Sequence, residues 1–275
     1  MKVSKMAILL FTLLPSGWLA AQNTFSGLFK QSNEEYQYVF QYNWEDFVAR
    51  QLEMDSLGYS LVDVETGTEG KYRLFWGIWK KDGGHTILKR LEGWEELVQT
   101  KRMMAADGFV MDDIEAYREG SKEYYVAVWA PGTTPHKVRQ LTSWEGLTND
   151  YDELVLQGLQ IVDLEGFQAE DGKTHYLALY HQMAPGERTH MYRSPDMESF
   201  LVDKSYRNKS GYRLFDLERF EKRGTDFITG LYRKEDNIDV ILDQLPWEEF
   251  NRQMKELIGE KGLVLVDIDI YPAGE

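Results

Sequence analysis

The chain of 275 residues has no cysteine, and basic residues are scarce in it. Without cysteine it can form neither a disulfide framework nor a lipid-modified N-terminal Cys. Its 31 Lys and Arg stand against 46 Asp and Glu, which gives a net charge of −15. Such a surface repels phosphate backbones and anionic lipids, so we expect no nucleic-acid partner and no role on a membrane surface.

Long apolar runs are also missing. Residues 1–21 combine two early lysines, the short apolar run 7–14 and a small-residue end at Ala21. This order is typical of a secretory signal peptide, and the run is too short to span a bilayer, which needs about 20 residues. We therefore predict cleavage near Ala21, no membrane insertion, and a periplasmic or secreted protein in which residues 22–275 form a single domain.

What the chain does contain is a short acidic pattern that returns at a fixed period. Each copy has an aspartate and a second carboxylate two residues later, and the aspartates lie 50, 50, 53 and 51 residues apart. The ten positions are Asp63, Glu65, Asp113, Glu115, Asp163, Glu165, Asp216, Glu218, Asp267 and Asp269. Self-similarity at this period predicts a tandem-repeat architecture.

Each copy is predicted to form one helix and three strands. Apolar residues at helical spacing, as in Trp247, Phe250 and Met254, place one face of the helix on a core. The acidic segment follows with a strand period of two, and two further strands come after it. We predict an α+β repeat protein with each helix on one face of an antiparallel sheet. The unit boundaries fall at about 44–93, 94–143, 144–196, 197–246 and 247–275 plus 22–43.

The last copy stops after its first strand, and its missing strands are found at the N-terminus. A Gly-Leu-Phe segment ends at Phe29, which precedes Trp44 by 15 residues, the same spacing as from Trp79 to Trp94. N-terminal strands that complete the last unit would close five units into a pseudo-fivefold ring, as in propellers and penteins. An open stack is the alternative, but closure removes two exposed sheet edges and is therefore favoured.

The repeat resembles a known family. The segments Gly58–Asp63, Gly158–Asp163 and Gly211–Asp216 carry a Gly, an apolar pair and then Asp, which is similar to the bacterial tandem-repeat domain. That family has repeats of about 50 residues and occurs beside β-lactamase-like domains, as in polyglycine hydrolases. The resemblance implies the accessory repeat module alone, because no serine here is followed three residues later by the lysine of a Ser-x-x-Lys motif.

Two interpretations of the acidic pairs stay open. Residues two apart on a strand share a face, so ten carboxylates in fivefold arrangement could bind a divalent cation, a polyamine or a cationic peptide. Alternatively, each aspartate accepts hydrogen bonds inside its own unit, from an indole or a turn amide. A feature that is present in every copy favours the structural interpretation.

Two smaller candidates come from aromatic residues and histidines. Most aromatic residues occupy equivalent positions in the repeats, which predicts a core role, whereas Trp76 departs from its counterparts and is predicted to be a surface contact. A hairpin near Pro185 could set His181 opposite His190 as zinc ligands.

The sequence therefore predicts a secreted, non-catalytic binding or structural module of the bacterial cell envelope. We expect a monomer whose partner is an envelope protein, a peptide or a glycan, and no cofactor other than a divalent cation at the acidic pairs. Nucleophile elbow, phosphate loop and zinc-protease helix motifs are absent from the sequence. The alternative is a hydrolase-type enzyme whose site at the ring centre uses members of the set Asp63, Asp113, Asp163, Asp216 and Asp267.

Overall fold

A computed structural model describes residues 23–69, 72–169, 171–184, 186–222 and 225–272. The predicted signal peptide lies outside these residues. The described part of the chain forms five helices and fifteen strands. The helices are α1 (Trp44–Ser56), α2 (Trp94–Ala106), α3 (Trp144–Leu156), α4 (Met197–Lys209) and α5 (Trp247–Gly259). The strands are β1 (Asn23–Gln31), β2 (Tyr36–Gln41), β3 (Tyr59–Glu69), β4 (Tyr72–Lys81), β5 (Ile87–Glu92), β6 (Phe109–Glu119), β7 (Lys122–Pro131), β8 (His136–Leu141), β9 (Leu159–Gln168), β10 (Thr174–Gln182), β11 (Thr189–Ser194), β12 (Tyr212–Lys222), β13 (Thr225–Lys234), β14 (Asp239–Pro246) and β15 (Leu263–Pro272).

The helix boundaries follow from local chemistry. Asn43, Ser143 and Asp196 precede α1, α3 and α4, and the side chain of each accepts a backbone N–H, at 2.8, 3.1 and 2.7 Å respectively. This bond satisfies one of the amides that a helix start leaves without an intrahelical partner. At the other end, Gly58 after α1 has a φ of +79° and Gly108 after α2 a φ of +84°. Only glycine adopts this left-handed conformation without strain, so the helix ends there.

The fifteen strands form five antiparallel sheets of one design, with orders β2-β4-β3, β5-β7-β6, β8-β10-β9, β11-β13-β12 and β14-β1-β15. Four of the sheets combine the strand before a helix with the two strands after it, and in the fifth β1 takes the place of the second strand after α5. The expectation that the third strand joins the sheet of the preceding helix is therefore wrong: β5 pairs with β7, from Ile87↔Trp129 to Glu92↔Tyr124. Both edges of β4 are already occupied by β2 and β3, so β5 has no place in that sheet.

The N-terminal strand completes the last sheet, which confirms the prediction. β1 lies between β14 and β15, and its register with β15 runs from Asn23↔Pro272 to Gln31↔Leu263. The prediction that the second N-terminal strand, β2, also joins the last unit is wrong, because β2 pairs with β4 in the sheet of β3 and β4. The closure of the five units into a ring stays a prediction.

The chain divides into two compact units, and each is described separately. The first comprises Met1–His85 and Val240–Glu275, with sheets β14-β1-β15 and β2-β4-β3 and helices α5 and α1. In it, β15 packs beside β3. The second comprises Thr86–Asp239, with the other three sheets and α2, α3 and α4, and its strand β9 packs against both β6 and β12. In both units, therefore, the acid-bearing strands of successive sheets are neighbours.

The core lies between each helix and its sheet. The aromatic residues that end the central strands are fully buried, which confirms their predicted core role: Phe29, Trp79, Trp129, Tyr180 and Tyr232. A small residue two positions earlier makes room for the helix. A Cβ on Gly27 would lie 2.9 Å from Phe250 of α5, and one on Gly230 would lie 2.7 Å from Phe200 of α4. These glycines allow the helix aromatics to reach the sheet.

Candidate functional site

A β-bulge precedes the repeated aspartate in every sheet. In each sheet the strand that carries the aspartate pairs with the central strand. This pairing skips one residue of the aspartate strand, as between Leu61 and Asp63 or between Met111 and Asp113. The bulged residues are Val62, Asp112, Val162, Phe215 and Val266. A bulge bends the strand and redirects the side chains beside it. The aspartate that follows is thereby positioned next to the neighbouring sheet.

In the second unit, these carboxylates accept backbone amides from the neighbouring sheet. Oδ2 of Asp163 on β9 accepts the N–H of Ile114 on β6 at 2.8 Å. On β12, Oδ2 of Asp216 accepts the N–H of Leu164 at 3.2 Å, and Oε1 of Glu218 accepts the N–H of Gly166 at 3.1 Å. These hydrogen bonds cross from one sheet to the next, because strand β9 packs between β6 and β12. Partners inside the same unit stay a prediction for Asp216 and Glu218, whereas the N–H of Leu164 in its own strand also favours the charged form of Asp163. A hydrogen bond to a charged group stabilises a fold by about 1.5–3 kcal/mol.

None of the ten acidic side chains is exposed, and all ten belong to the described residues. The buried members are Glu65, Asp113, Glu115, Asp163, Glu218 and Asp269, and the half-buried ones are Asp63, Glu165, Asp216 and Asp267. Their role as ligands of a cation, polyamine or peptide stays a prediction.

Burial perturbs the electrostatics of this acidic set. It raises the pKa of Asp163 to about 7, although the N–H groups of Ile114 and Leu164 favour the charged form. A carboxylate oxygen of Glu115 lies within 4.8 Å of one of Glu165. Two charged carboxylates at this separation repel each other.

Trp76 is buried, so its prediction as a surface contact is wrong. Only 3% of its surface is exposed. Its ring centroid lies 5.8 Å from that of Phe40 and 5.5 Å from that of Trp247. The residue sits on central strand β4, where its greater size compared with its counterparts fills an aromatic core in the first unit.

His181 and His190 lie in different sheets, so the expected hairpin between them does not form. His181 is on β10, which pairs with β8 and β9, whereas His190 is on β11, which pairs with β13. The ring of His190 packs on Tyr212, with 4.4 Å between centroids, and its Nδ1 lies 3.3 Å from Nη1 of Arg207. The structure therefore removes the geometric basis for a zinc site made of His181 and His190.

The actual neighbour of His181 is His136, which the sequence interpretation missed. The two residues are directly opposite across β10 and β8, and their ring centroids are 6.0 Å apart. Nε2 of His181 lies 2.6 Å from the carbonyl oxygen of Met111, and Nδ1 of His136 lies 3.1 Å from that of Thr134. Burial lowers the pKa of His136 to about 4 and also lowers the pKa of His181. Both rings are therefore neutral at pH 7.

Asp112 is the third residue at this place. It follows Met111 directly, and its negative charge acts to raise the pKa of His181 against the larger lowering effect of burial. The signal that could have found it was in the sequence: the other bulge positions are apolar, and Asp112 alone among them is acidic.

The fold and these contacts define the protein as a tandem α+β repeat protein. A family described as "Polyglycine hydrolase-like, structural repeat" matches residues 98–131, which extend from within α2 through β6 and β7. The match confirms the resemblance of this repeat to that family and includes no hydrolase domain. None of the curated proteins matches the chain. Among the described residues, no helix has the length and apolar character that crossing a membrane requires.

Proposed function

We propose that the protein is a non-catalytic structural and binding module of the bacterial cell envelope, exported by its N-terminal segment. The observation that supports this most directly is the use of Asp163, Asp216 and Glu218 as acceptors for amides of the neighbouring sheet. Carboxylates that join repeats contribute to folding, and such a role explains why every copy carries them. The match to a structural repeat agrees with this reading.

A hydrolase is the alternative, and the description of the matched family suggests its substrate. The purified protein is incubated with a peptide that contains an oligoglycine segment, and the products are weighed by mass spectrometry. We expect the peptide to remain intact. Cleavage that is lost in Asp163→Asn, with an unchanged circular dichroism spectrum, would establish an enzyme and overturn the proposal.

Export is tested through the N-terminus of the protein made in a Gram-negative host. We expect a periplasmic product whose mass corresponds to a chain that begins at Gln22. Leu10→Arg interrupts the apolar run and serves as the control, because it should leave an uncleaved chain in the cytoplasm. Cytoplasmic, full-length wild-type protein would contradict the proposed location.

The outward face of α4 is the surface that best supports binding. Leu201, Val202 and Tyr206 are 46%, 54% and 65% exposed, and Lys209 lies on the same side of the helix. A contiguous exposed apolar patch on a protein surface often marks an interaction site. On α3, the positions equivalent to Val202 and Tyr206 are Asn149 and Glu153, which are polar.

We test this face by retention of envelope proteins on the immobilised wild-type protein and its variants. Leu201→Glu with Tyr206→Glu should abolish retention of any specific partner. Asn149→Glu adds charge at the equivalent face of α3 and should leave retention unchanged. Equal retention by both variants would show that α4 is not the binding surface.

A further inference from the structure

One edge of every sheet is the strand that precedes a helix, and these edge strands differ in charge. Four of them include charged side chains: Lys89 and Arg90 in β5, Lys137 and Arg139 in β8, Arg193 in β11, and Asp239 and Asp243 in β14. The fifth, β2, has the sequence Tyr-Gln-Tyr-Val-Phe-Gln and no charge. Because charges on an edge strand discourage pairing with another chain, β2 is the edge that lacks this protection.

Both faces of β2 are occupied within the first unit. On one face, the Tyr38 hydroxyl accepts the N–H of Leu265 on β15 at 3.0 Å, and Phe40 belongs to the aromatic core. On the other face, Gln37 and Val39 are buried. The strand is therefore held in place on both sides, and what it offers to a partner is its edge.

The ladder with β4 decides which backbone groups of β2 point outwards. Tyr36 pairs with Lys80, and the carbonyl of the preceding Glu35 accepts the N–H of Lys81 at 2.8 Å. In an antiparallel ladder, successive residues direct their N–H and C=O groups alternately to the partner strand and away from it. Odd-numbered residues of β2 therefore face β4, like Glu35. The residues whose backbone groups point away, where no described strand pairs with them, are Tyr36, Tyr38 and Phe40.

The surroundings of this edge are neutral, although the chain carries a net charge of −15. The two acidic residues that precede β2 have basic partners: Glu34 lies 2.9 Å from Lys80, and Glu35 lies 3.9 Å from Lys81. A large net charge makes two copies of a protein repel each other. The strand Tyr36–Gln41 is a sheet edge at which two copies meet without like charges face to face.

We infer that two copies of this protein form a dimer in which β2 of one copy pairs antiparallel with β2 of the other. A twofold axis at Tyr38 sets this residue opposite its own copy and Tyr36 opposite Phe40. Each of the three outward residues then gives one N–H and one C=O, so six backbone hydrogen bonds join the copies. Registers shifted along the strand leave some of these groups unpaired, so this register is the favoured one.

The contact is isologous, because the same strand serves in both copies, and it closes at two chains since each copy has one such edge. The result is a continuous sheet of six strands with the order β3-β4-β2-β2-β4-β3. This dimer departs from the monomer that is expected from the sequence. It goes beyond the proposed function and does not depend on it.

The register predicts opposite effects for two substitutions at one position. Gln41 lies opposite Glu35 of the second copy, and this pair occurs twice in the dimer. Gln41→Glu sets two carboxylates face to face, whereas Gln41→Lys sets an ammonium group opposite a carboxylate. Cross-strand charge pairs of this kind should shift the dissociation constant of the dimer about fivefold, upwards for Glu and downwards for Lys.

Sedimentation equilibrium of the purified protein over a range of concentrations measures this constant. We expect a species with twice the mass of one chain, in equilibrium with the monomer. Gln99→Glu and Gln99→Lys are the matched controls, because they change the net charge equally at an exposed position of α2. They should leave the dissociation constant nearly unchanged. Equal effects at positions 41 and 99 would overturn the proposed register.

A second pair of variants tests the backbone bonds directly. The N–H of Tyr36 points away from β4, so Tyr36→Pro removes no hydrogen bond inside the sheet, and proline is tolerated at the start of an edge strand. Tyr36→Ala loses the same ring and keeps the N–H. The proline variant lacks two of the six bonds of the dimer and should associate about tenfold more weakly than the alanine variant. Equal association of the two variants contradicts strand pairing.

Hydrogen exchange of the wild type locates the contact without any substitution. The amides of Tyr36, Tyr38 and Phe40 should exchange more slowly at high protein concentration than at low concentration, whereas amides of the other edge strands should not change. A wild type that stays monomeric at every concentration overturns the proposal. A dimer in which the β2 amides exchange equally at both concentrations also overturns it, because its contact then lies elsewhere.

Discussion

Asp163 shows how a single side chain joins two repeats. It stands after a bulge on β9 and accepts the amide of Ile114 on β6 at 2.8 Å. Asp216 makes the same contact one repeat further on, to Leu164. In these two copies the aspartate thus joins neighbouring sheets. Because the pKa of Asp163 is raised, its contribution to stability depends on pH and can be measured.

The raised pKa of Asp163 predicts a pH-dependent stability. The native pKa is about 7 and the ordinary value is 3.8. Between these values the native state holds a proton that the unfolded state has lost, so the free energy of unfolding rises as the pH falls through this window. Each pH unit inside it contributes at most about 1.4 kcal/mol.

Urea unfolding at pH 4.5, 5.5, 6.5 and 7.5 checks this for the wild type and Asp163→Asn. The asparagine keeps an oxygen for the Ile114 amide but does not titrate. We expect the stability of the wild type relative to the variant to increase from pH 7.5 to pH 4.5. Parallel profiles would show that Asp163 has an ordinary pKa.

Lys101→Gln should stabilise the protein. Nε1 of Trp79 donates to Oε1 of Gln51 at 2.7 Å, whereas the equivalent Trp129 Nε1 has no partner among the described residues. A glutamine at 101 supplies the missing acceptor, which is worth about 1 kcal/mol. Thermal unfolding compares it with Lys101→Met, which removes the charge but adds no acceptor. Equal stability of the two variants would refute the proposed hydrogen bond.

Trp76 tests the aromatic core of the first unit. It packs between Phe40 and Trp247, and truncation of such a residue to alanine costs about 3–5 kcal/mol. Trp76→Phe keeps most of the volume and removes an indole N–H that has no partner in the described part of the structure. We expect chemical unfolding to show the full loss for alanine and a smaller one for phenylalanine. Similar losses would indicate that ring volume is not what this site requires.

At the scale of elements, the sequence predicts which helices and strands form better than it predicts which strands pair. The caps, the helix period and the Gly-Leu-Phe signature of β1 are local, and the structure bears out the helices and the place of β1. The sheet that each third strand joins is a matter of long-range pairing, because β5 has the same local pattern whether it joins β4 or β7. The prediction for Trp76 is wrong, and the contact of His181 with His136 was not predicted, for the same reason: the surroundings of these residues come from other strands.

Removal of residues 22–30 should destabilise the sheet β14-β1-β15, because it takes out the central strand. Phe25, Leu28 and Phe29 of this strand are buried. We expect a lower thermal midpoint, and partial recovery when a synthetic peptide of residues 22–31 is added, since a strand can be supplied in trans. A peptide with Leu28→Lys is the control and should not restore the midpoint. A shortened chain that melts like the parent would contradict the observed pairing.

At the scale of the whole chain, β1 and β15 pair like the two strands of a β-hairpin, although no loop joins them. In the other sheets the first strand leads directly into the central strand, as β6 leads into β7 near Gly120. A circular permutant that links Pro272 to Asn23 by a short turn and opens the chain after Gly120 should therefore keep its fold. Its thermal midpoint should stay within a few degrees of the parent's. A permutant that shows no cooperative thermal unfolding would indicate that the intact turn at Gly120, or the separate ends of β1 and β15, contribute to folding.

The central position of β1 also sets an order of events during translation. Its apolar residues leave the ribosome before those of any other described strand, yet its partners β14 and β15 are made last. At about 5–20 residues per second, the roughly 240 residues from the end of β1 to the end of β15 take on the order of 10–50 s to synthesise. During that interval the nascent chain carries an unpaired apolar strand, which a chaperone would have to shield until β14 and β15 have been synthesised.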